Sequence, residues 1–438
     1  MLRKLIKALV PHTLFERIEP FGHLCEAVMW QVMMGFPAKH MKVIGVTGTD
    51  GKTTTSTMIY ALLNDAGVKT GLMTTIGYGT PEHWRDNYVH MTTVSTRELL
   101  RRIKALKAEG ITWLVLETTS HALAQNRVWG IPYSIAVLTN VTHEHLDYHK
   151  TFERYRDAKA KLFRLTAANE RGLQAGIINR DDPSAEYFEK ATKMVITYGL
   201  EAPEADMRPS DVKSNAFGST YRLQAEGRDL QIKLFLPGTF NVYNSLAAVS
   251  VGLLLGLSGD KIEHGLASLK QVDGRMNRLD EGQDFSVIVD FAHTPDSFDK
   301  IFSQMKQLSK GRLIGVFGSA GRRDEAKRFK QGASAGKYAD IVVLTEEDDR
   351  DIDGFKILHQ IAEGVTAEGK VIDESLFLIH DRTEAITFAI NEARPGDTVL
   401  LLGKGHEKTI EGPDGERQWD ETATAQAAIR AKMKSKSS

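Results

Sequence analysis

The chain predicts an α/β fold in two blocks, each a mainly parallel sheet covered by helices, with a small antiparallel insertion between them. Three observations carry that prediction. Short apolar runs such as Trp113–Glu117 and Ile135–Thr139 alternate with polar-faced helical stretches from Met41 to about Ile196, the rhythm of parallel strands joined by helical crossovers. Residues 203 to 236 switch to a two-residue period, in Tyr221-Arg-Leu-Gln-Ala and Leu230-Gln-Ile-Lys-Leu, as expected of strands with one solvated face. After a helix expected from Asn244 to Leu255, the strand–helix rhythm resumes near Val272, with strands at 286–290, 312–317, 341–344, 376–379 and 398–402.

With 438 residues the chain suits two or three domains, divided here as a short helical segment at 1–40, a central block at 41–271 and a C-terminal block at 272–438. A 42% hydrophobic and 26% charged composition fits a globular protein with a large core. The net charge of −1 gives no global attraction to nucleic acid, so no nucleic-acid partner is expected. A single cysteine, Cys25, excludes an intrachain disulfide framework and fits a reducing cytoplasm. The first 36 residues place Arg3, Lys4 and Lys7 ahead of apolar positions from Leu9 to Met33, with His23 and Glu26 interrupting any run of membrane-spanning length. They read as one or two helices against the body of the protein; the alternative is a basic amphipathic helix making peripheral contact with the inner membrane face. The lysine-rich tail from Ala431 is expected to fray.

The most informative stretch is Met41–Thr55. A strand rich in β-branched residues (Val43, Ile44, Val46, Thr47) runs into Gly48-Thr49-Asp50-Gly51, and Lys52, Thr53 and Thr54 open a helix expected to reach about Ala66. Strand, glycine loop and helix N-terminus in that order form a phosphate-loop type of ATP-binding block, whose backbone N–H groups wrap a phosphate chain. Lys52 then serves the β/γ-phosphates and the Thr53 hydroxyl serves Mg²⁺. Val46 stands where the general phosphate-loop pattern has a glycine.

Glu117 ends an apolar strand, which is where parallel sheets place ligands and Mg²⁺. Thr139-Asn-Val-Thr-His-Glu-His-Leu-Asp-Tyr-His149 follows another strand end, so its histidines and acids are expected to face the same crevice. Lys159 and Lys161, two apart on a helix starting near Phe152, point to different faces, and on spacing alone both are assigned to solvent.

With Glu117-Thr-Thr-Ser-His121, Gln125-Asn-Arg-Val128, the Thr139–His149 run and Tyr155-Arg-Asp-Ala-Lys159, the chain resembles the Mur ligases, and among them the MurE type, the UDP-N-acetylmuramoyl-tripeptide synthetases. Pro237–Asn244, Gly274-Arg-Met276, Val289–Asp296, Val316-Phe-Gly318, Arg323-Asp324 with Lys327-Arg328, and Gly403-Lys-Gly-His-Glu407 extend the resemblance from about Lys42 to about Glu421.

The resemblance implies an ATP-dependent, ADP-forming ligase of peptidoglycan precursor synthesis. In such an enzyme an acceptor carboxylate takes the γ-phosphoryl group to give an acyl phosphate, and an amine then displaces phosphate, chemistry that depends on positioning and charge neutralisation. It implies that Lys52 and the Gly48–Thr54 loop hold the phosphates, that Thr53 and Glu117 ligate one Mg²⁺, and that His145 binds a second. Lys159 matches a lysine carbamylated by carbon dioxide, which takes Lys159, but not Lys161, out of solvent. Asn241 and Asn244 match positions near the adenine, and Arg275, Asp290 and His293 match nucleotide contacts of the second block, which is expected to swing in and exclude water. Thr92, Thr93, Thr119, Gln125 and Arg127 match positions holding a muramoyl-dipeptide acceptor. Arg323, Glu347, Asp348, Arg350, Gly403 and Glu407 match the grip on the distal end of meso-diaminopimelate, with guanidinium facing carboxylate and Glu407 facing ammonium. A monomer is expected.

Two departures qualify the match. The family's Asp-Asn-Pro-Arg signature reads Glu347-Asp-Asp-Arg350, which keeps the arginine but adds anions that suit lysine or ornithine; diaminopimelate is the preferred expectation on Arg350 and Arg323. The family normally carries about a hundred residues before the loop as a uridine-binding domain, and the forty or so here fall below the size of about 50 residues at which domains begin. The acceptor is therefore expected to be held through its sugar and peptide, or to be lipid-linked or nucleotide-free. The competing readings are a related ligase of pseudomurein or folylpolyglutamate type, and a non-catalytic Mur-like scaffold.

Overall fold

In the computed structural model, described for residues 12–87, 89, 91–142, 144–215 and 217–437, the chain forms two compact units. Of the described residues, the first takes those up to 211 with 221–232 and 242–268; the second takes those of 212–220, 233–241 and 269–437. Arg3, Lys4 and Lys7 lie outside the described residues, as does His143.

The first unit is built on an eight-stranded sheet of β1 (Lys42–Thr47), β2 (Thr70–Met73), β3 (Gly77–Gly79), β4 (Trp84–Asp86), β5 (Trp113–Glu117), β6 (Tyr133–Leu138), β7 (Ala175–Asn179) and β8 (Met194–Tyr198). Its order is β4-β3-β2-β5-β1-β6-β7-β8, parallel throughout except where β3 pairs with β2 and β4. Strand β5 is buried at every residue and β1 at all but Lys42, as continuous apolar runs must be when helices cover both faces. The order turns at β1: β5 lies on one side, with Val46 opposite Glu117, and β6 on the other, with Thr47 opposite Leu138. Such a switch point opens a crevice beyond the carboxyl ends of the strands.

The helix Lys52–Asp65 leaves that crevice and runs against the helix Gly259–Ser268. Gly265 makes the approach close, since a Cβ there would come within 2.9 Å of the Leu62 backbone. The far end is tied by His264 Nδ1 to Asp65 at 2.7 Å and by Lys261 donating to the Ala66 carbonyl at 3.2 Å. The helix Phe152–Ala168, capped by the Thr151 hydroxyl, buries Tyr155, Lys159, Leu162, Phe163 and Thr166 along one stripe. At the N-terminal side the described helix is His12–Met34, and none of the described helices is long and apolar enough to cross a membrane.

Strands β9 (Pro209–Asn215), β10 (Gly218–Ala225) and β11 (Arg228–Leu234) form a three-stranded sheet. Their two-residue links force neighbours to run in opposite directions. The next helix is Thr239–Leu254, starting five residues before the expected Asn244. Pro237-Gly238 stops the preceding chain, so the helix begins as soon as the backbone is free of them.

The second unit carries a six-stranded sheet of β12 (Asn277–Leu279), β13 (Ser286–Asp290), β14 (Leu313–Phe317), β15 (Ile341–Leu344), β16 (Leu376–Leu378) and β17 (Thr398–Leu402). The order is β12-β13-β17-β14-β15-β16, with only β12 antiparallel. Apolar clusters cover both faces, one around Phe298, Phe302 and Phe317, the other around Ile386, Ile390 and Ile429. A short hairpin of β18 (Thr409–Gly412) and β19 (Gly415–Gln418) follows β17.

Candidate active site

In the first unit, the loop between β1 and its helix is held by the strand-end residues of β6. Thr49 N–H donates to the Asn140 carbonyl at 2.8 Å, Asp50 N–H to Asn140 Oδ1 at 3.0 Å, and Thr139 Oγ1 to the Asp50 carbonyl at 2.6 Å. Two glycines make the cradle possible. Gly48 has φ +155°, and a Cβ there would overlap Thr139 Oγ1; Gly51 has φ +80°, and its Cβ would run into Asn244 Oδ1. Gly51 caps the helix with no side-chain hydrogen bond, so the first N–H groups of that helix face the crevice. A loop of glycines around a helix N-terminus fits a phosphate chain.

Around this loop the structure gathers several of the expected residues. Lys52 Nζ donates to the Thr49 carbonyl at 2.6 Å, and Thr54 is buried behind it. Thr53 Oγ1 donates to Glu117 Oε2 at 3.0 Å, and Glu117, 1% exposed, also accepts from Thr75 N–H at 3.2 Å and from the Thr75 hydroxyl. A hydroxyl beside a carboxylate is an all-oxygen donor set of the kind Mg²⁺ takes.

Lys159 is 1% exposed; its Nζ donates to the Gly48 carbonyl at 2.5 Å and lies 4.3 Å from the centre of the Tyr155 ring. Burial, and then the charge of Lys52, hold its amine well below the ordinary lysine range. Tyr155 OH meets Thr49 Oγ1 at 3.1 Å, which fastens the helix face to the loop. His145 is half-exposed with φ +56°, its ring 4.7 Å from His121 and 6.1 Å from Tyr155. An amine nitrogen is a poor ligand for Mg²⁺, whereas a carbamate on Lys159 would present oxygens.

Lys161 corrects the assignment to solvent. It is half-buried, donating to the Leu123 carbonyl at 2.9 Å and to Asn126 Oδ1 at 2.5 Å. The short helix Ser120–Ala124 lies over that flank of Phe152–Ala168 and supplies acceptors to a second face.

The residues matched to the acceptor form one chain of contacts. Thr92 Oγ1 accepts from Thr75 at 2.9 Å, Thr93 Oγ1 donates to the Glu117 carbonyl and accepts from Thr119 N–H, both at 3.0 Å, and Thr119 caps Ser120–Ala124. Gln125 closes that helix, and Arg127 donates to the Thr93 carbonyl. Burial brings the Arg127 guanidinium down to about 10. Asn244 accepts from Thr55 Oγ1 at 3.1 Å beside Gly51.

In the second unit, Asn241 donates to the Pro237 carbonyl at 2.7 Å. Asp290, at the end of β13, accepts from Met276 N–H and Ala292 N–H at 2.7 Å each. Arg275 lies 4.7 Å over the Phe291 ring, and His293 shares a 3.0 Å contact with the Phe291 carbonyl. Burial and the Lys327 charge push the His293 imidazole down to about 4.

Beyond β15 and β17 lie the residues matched to the amino acid. Gly403 has φ +101°, and a Cβ on it would sit 2.7 Å from Glu347 Oε2. Arg350 is engaged by its own chain, through Nε to Glu411 at 2.8 Å and Nη1 to the Gly321 carbonyl at 2.9 Å, while Arg323 is exposed. The residue that sequence reasoning left without a role is Lys404, fully buried, 2.9 Å from Asp348 and 2.7 Å from Glu407. Its only signal is its place between the two glycines of Gly403-Lys-Gly405. Thr75 and Glu411 gave none, since both act through the fold that brings them to Glu117 and Arg350.

Residues 46–252 match the Mur ligase middle domain and residues 274–405 the Mur ligase glutamate ligase domain. A UDP-N-acetylmuramyl-tripeptide synthetase of Roseiflexus sp. (strain RS-1) is 40% identical over 94% of this chain and 82% of its own length. A UDP-N-acetylmuramoyl-L-alanyl-D-glutamate–2,6-diaminopimelate ligase of Geobacillus kaustophilus (strain HTA426) is 38% identical over 92% and 82%. A solved structure of a ligase of that same name superposes with a TM-score of 0.65 at 30% identity, covering 95% of this chain and 83% of that one. A folylpolyglutamate synthase of Mycobacterium tuberculosis, at 18% identity and TM-score 0.69, shares the fold. With the phosphate cradle, the Thr53–Glu117 pair and relatives matched over nearly the whole chain, this protein belongs to the Mur ligase family of ATP-dependent, ADP-forming ligases.

Proposed function

We propose that this chain is a MurE-type ligase that joins meso-diaminopimelate to the D-glutamate of a UDP-linked MurNAc-L-Ala-D-Glu acceptor in peptidoglycan precursor synthesis. The observation that carries the reading is Lys159, a fully buried amine held on the carbonyl of Gly48 inside the phosphate loop. Burial favours the neutral amine, and that form adds to carbon dioxide, its nitrogen bonding the carbon as one proton leaves, to give a carbamate anion. That anion would join Thr53, Glu117 and His145 as the residues that hold Mg²⁺. Bound there, Mg²⁺ would draw charge from the transferring phosphoryl group. The loop amides and Lys52 orient the phosphates, and Thr92, Thr93, Thr119, Gln125 and Arg127 hold the acceptor so that its carboxylate reaches phosphorus in line. Asn241, Asn244, Arg275, Asp290 and His293 serve the nucleotide. Arg323 and Arg350 take the distal carboxylate of the diamino acid, and Glu407 its ammonium. The enzyme works in the cytoplasm as a monomer, with peripheral contact to the inner membrane face through residues 1–36.

One observation favours lysine in place of diaminopimelate: Arg350 is already bonded to Glu411, which weakens its pull on a second carboxylate. A phosphate-release matrix decides, with UDP-linked and UDP-free MurNAc-L-Ala-D-Glu each tested against diaminopimelate, lysine and ornithine. Release with the UDP-linked acceptor and diaminopimelate is the expected result; none under any pairing overturns the reading. An intact mass heavier by one carbon dioxide, lost in Lys159→Met, tests the carbamate separately.

A further inference from the structure

Three carboxyl groups crowd the segment that follows β17. Asp348 Oδ1 lies 2.9 Å from Lys404 Nζ and also accepts from Glu411 N–H at 2.9 Å. Glu407 Oε2 lies 2.7 Å from the same Nζ. Glu347 sits against Gly403 and feels the charges of Lys404 and Lys327. The lysine is 0% exposed, whereas the Asp348 and Glu407 side chains are 13% and 21% exposed and so open toward the surface. The Lys404 ammonium therefore offsets carboxylate charge where the incoming amino acid is expected.

We infer that Lys404 is a specificity-determining positioning residue, an internal counter-cation that sets how many anions the site presents to the distal end of the diamino acid. This inference rests on the reading given under Proposed function. A diaminopimelate tail carries an ammonium and a carboxylate and is neutral; a lysine tail carries the ammonium alone. With Lys404 in place, part of the carboxylate charge is offset, enough remains to attract the ammonium, and the arginines are left to the carboxylate. Without it, the site loses one positive charge and becomes more anionic, which attracts the cationic tail and repels the carboxylate of the neutral one. Both neighbouring carboxylates raise the affinity of Lys404 for its proton despite its burial, so the counter-charge persists at neutral pH.

The test is the ratio of kcat/KM for diaminopimelate to that for lysine, measured with ATP, Mg²⁺ and UDP-MurNAc-L-Ala-D-Glu on the full chain. Lys404→Met is expected to move the ratio at least tenfold toward lysine. Asp348→Asn, which removes an anion, is expected to move it severalfold the other way. The double variant, with the original charge sum, is expected to return within about threefold of wild type. A structural role alone would lower both activities together, so an unmoved ratio in Lys404→Met, or a double variant that fails to return, overturns the inference. Should Lys404→Met lose its thermal transition, the Asp348→Asn ratio decides, and an unchanged value overturns it. Wild-type protein that turns over neither amino acid overturns the functional reading and this inference with it; wild-type turnover with unmoved variant ratios overturns this inference alone.

Discussion

Adding one methyl group at Gly48 puts the phosphate cradle to a quantitative test. The Cβ of Gly48→Ala would overlap Thr139 Oγ1 and lie 3.0 Å from the Asn140 carbonyl oxygen, so the hydroxyl must leave its 2.6 Å bond to the Asp50 carbonyl. Forcing an extra carbon into packed surroundings costs about 1–3 kcal/mol, and the lost hydrogen bond about 0.5–1.5 kcal/mol. Together these give about 1.5–4.5 kcal/mol against the binding-competent loop, a fall of about 10- to 1,600-fold in ATP affinity at about 1.4 kcal/mol per tenfold. Thr139→Ala alone removes the hydrogen bond without a clash and is expected to weaken binding by about tenfold or less. In Gly48→Ala/Thr139→Ala the methyl group finds the space vacated by the hydroxyl, so the double variant should bind ATP better than Gly48→Ala alone. Calorimetric titration of ATP with Mg²⁺ measures all three without reference to the acceptor. Wild-type affinity in Gly48→Ala, or a double variant no better than the single one, would refute the claim that the loop needs this approach.

Other predictions follow from the same contacts. Glu117→Gln keeps the shape but removes the charge facing the Thr53 hydroxyl; a lost charge-assisted contact of about 1.5–3 kcal/mol should raise the half-saturating Mg²⁺ concentration for phosphate release about 10- to 100-fold. His293, held at about 4 against an ordinary 6.5, keeps its native form neutral, so the unfolded chain takes up the proton first as pH falls. Stability should therefore be lost from pH 6.5 down to about 4 and level off below, and His293→Gln should flatten that acid limb by about 3 kcal/mol in urea titrations. Arg382 and Glu421, both 0% exposed and paired at 2.6 Å, should show strong coupling: Arg382→Met strands a buried carboxylate and costs about 3–5 kcal/mol, while Arg382→Met/Glu421→Leu regains much of it in thermal melts.

How much of this was legible in the sequence depends on whether a residue acts through its own element or through a distant one. The buried strands announced themselves as apolar runs, and the loop by its order of glycine, lysine and threonine. The stripe Tyr155, Lys159, Phe163 is spaced by four and is buried in the structure, a period that the assignment of Lys159 to solvent on spacing alone overlooked. Lys161 was misread because its acceptors, Leu123 and Asn126, come from a short helix and the turn after it, more than thirty residues earlier. Likewise nothing near Glu117 announces Thr75, and nothing near Arg350 announces Glu411. Those contacts exist only after the sheet order is set, and a linear pattern does not encode sheet order. The start of the helix after Pro237-Gly238 was set by where the interruption ended, not by where the apolar period became clear.

The close approach of Gly265 to Leu62 gives the nucleotide loop a mechanical property. Lys52–Asp65 is packed at Leu62 against Gly265 and tied at its far end by His264 to Asp65 and by Lys261 to Ala66, so its 14 residues, roughly 21 Å, behave as a stiff rod. A rod gripped in this way transmits displacement instead of absorbing it, and a small shift at Gly51 arrives at Asp65 nearly undiminished. The exposed imidazole of His264 is thus a natural place for a spectroscopic reporter, where occupancy of the loop could be followed at a distance that leaves the chemistry untouched.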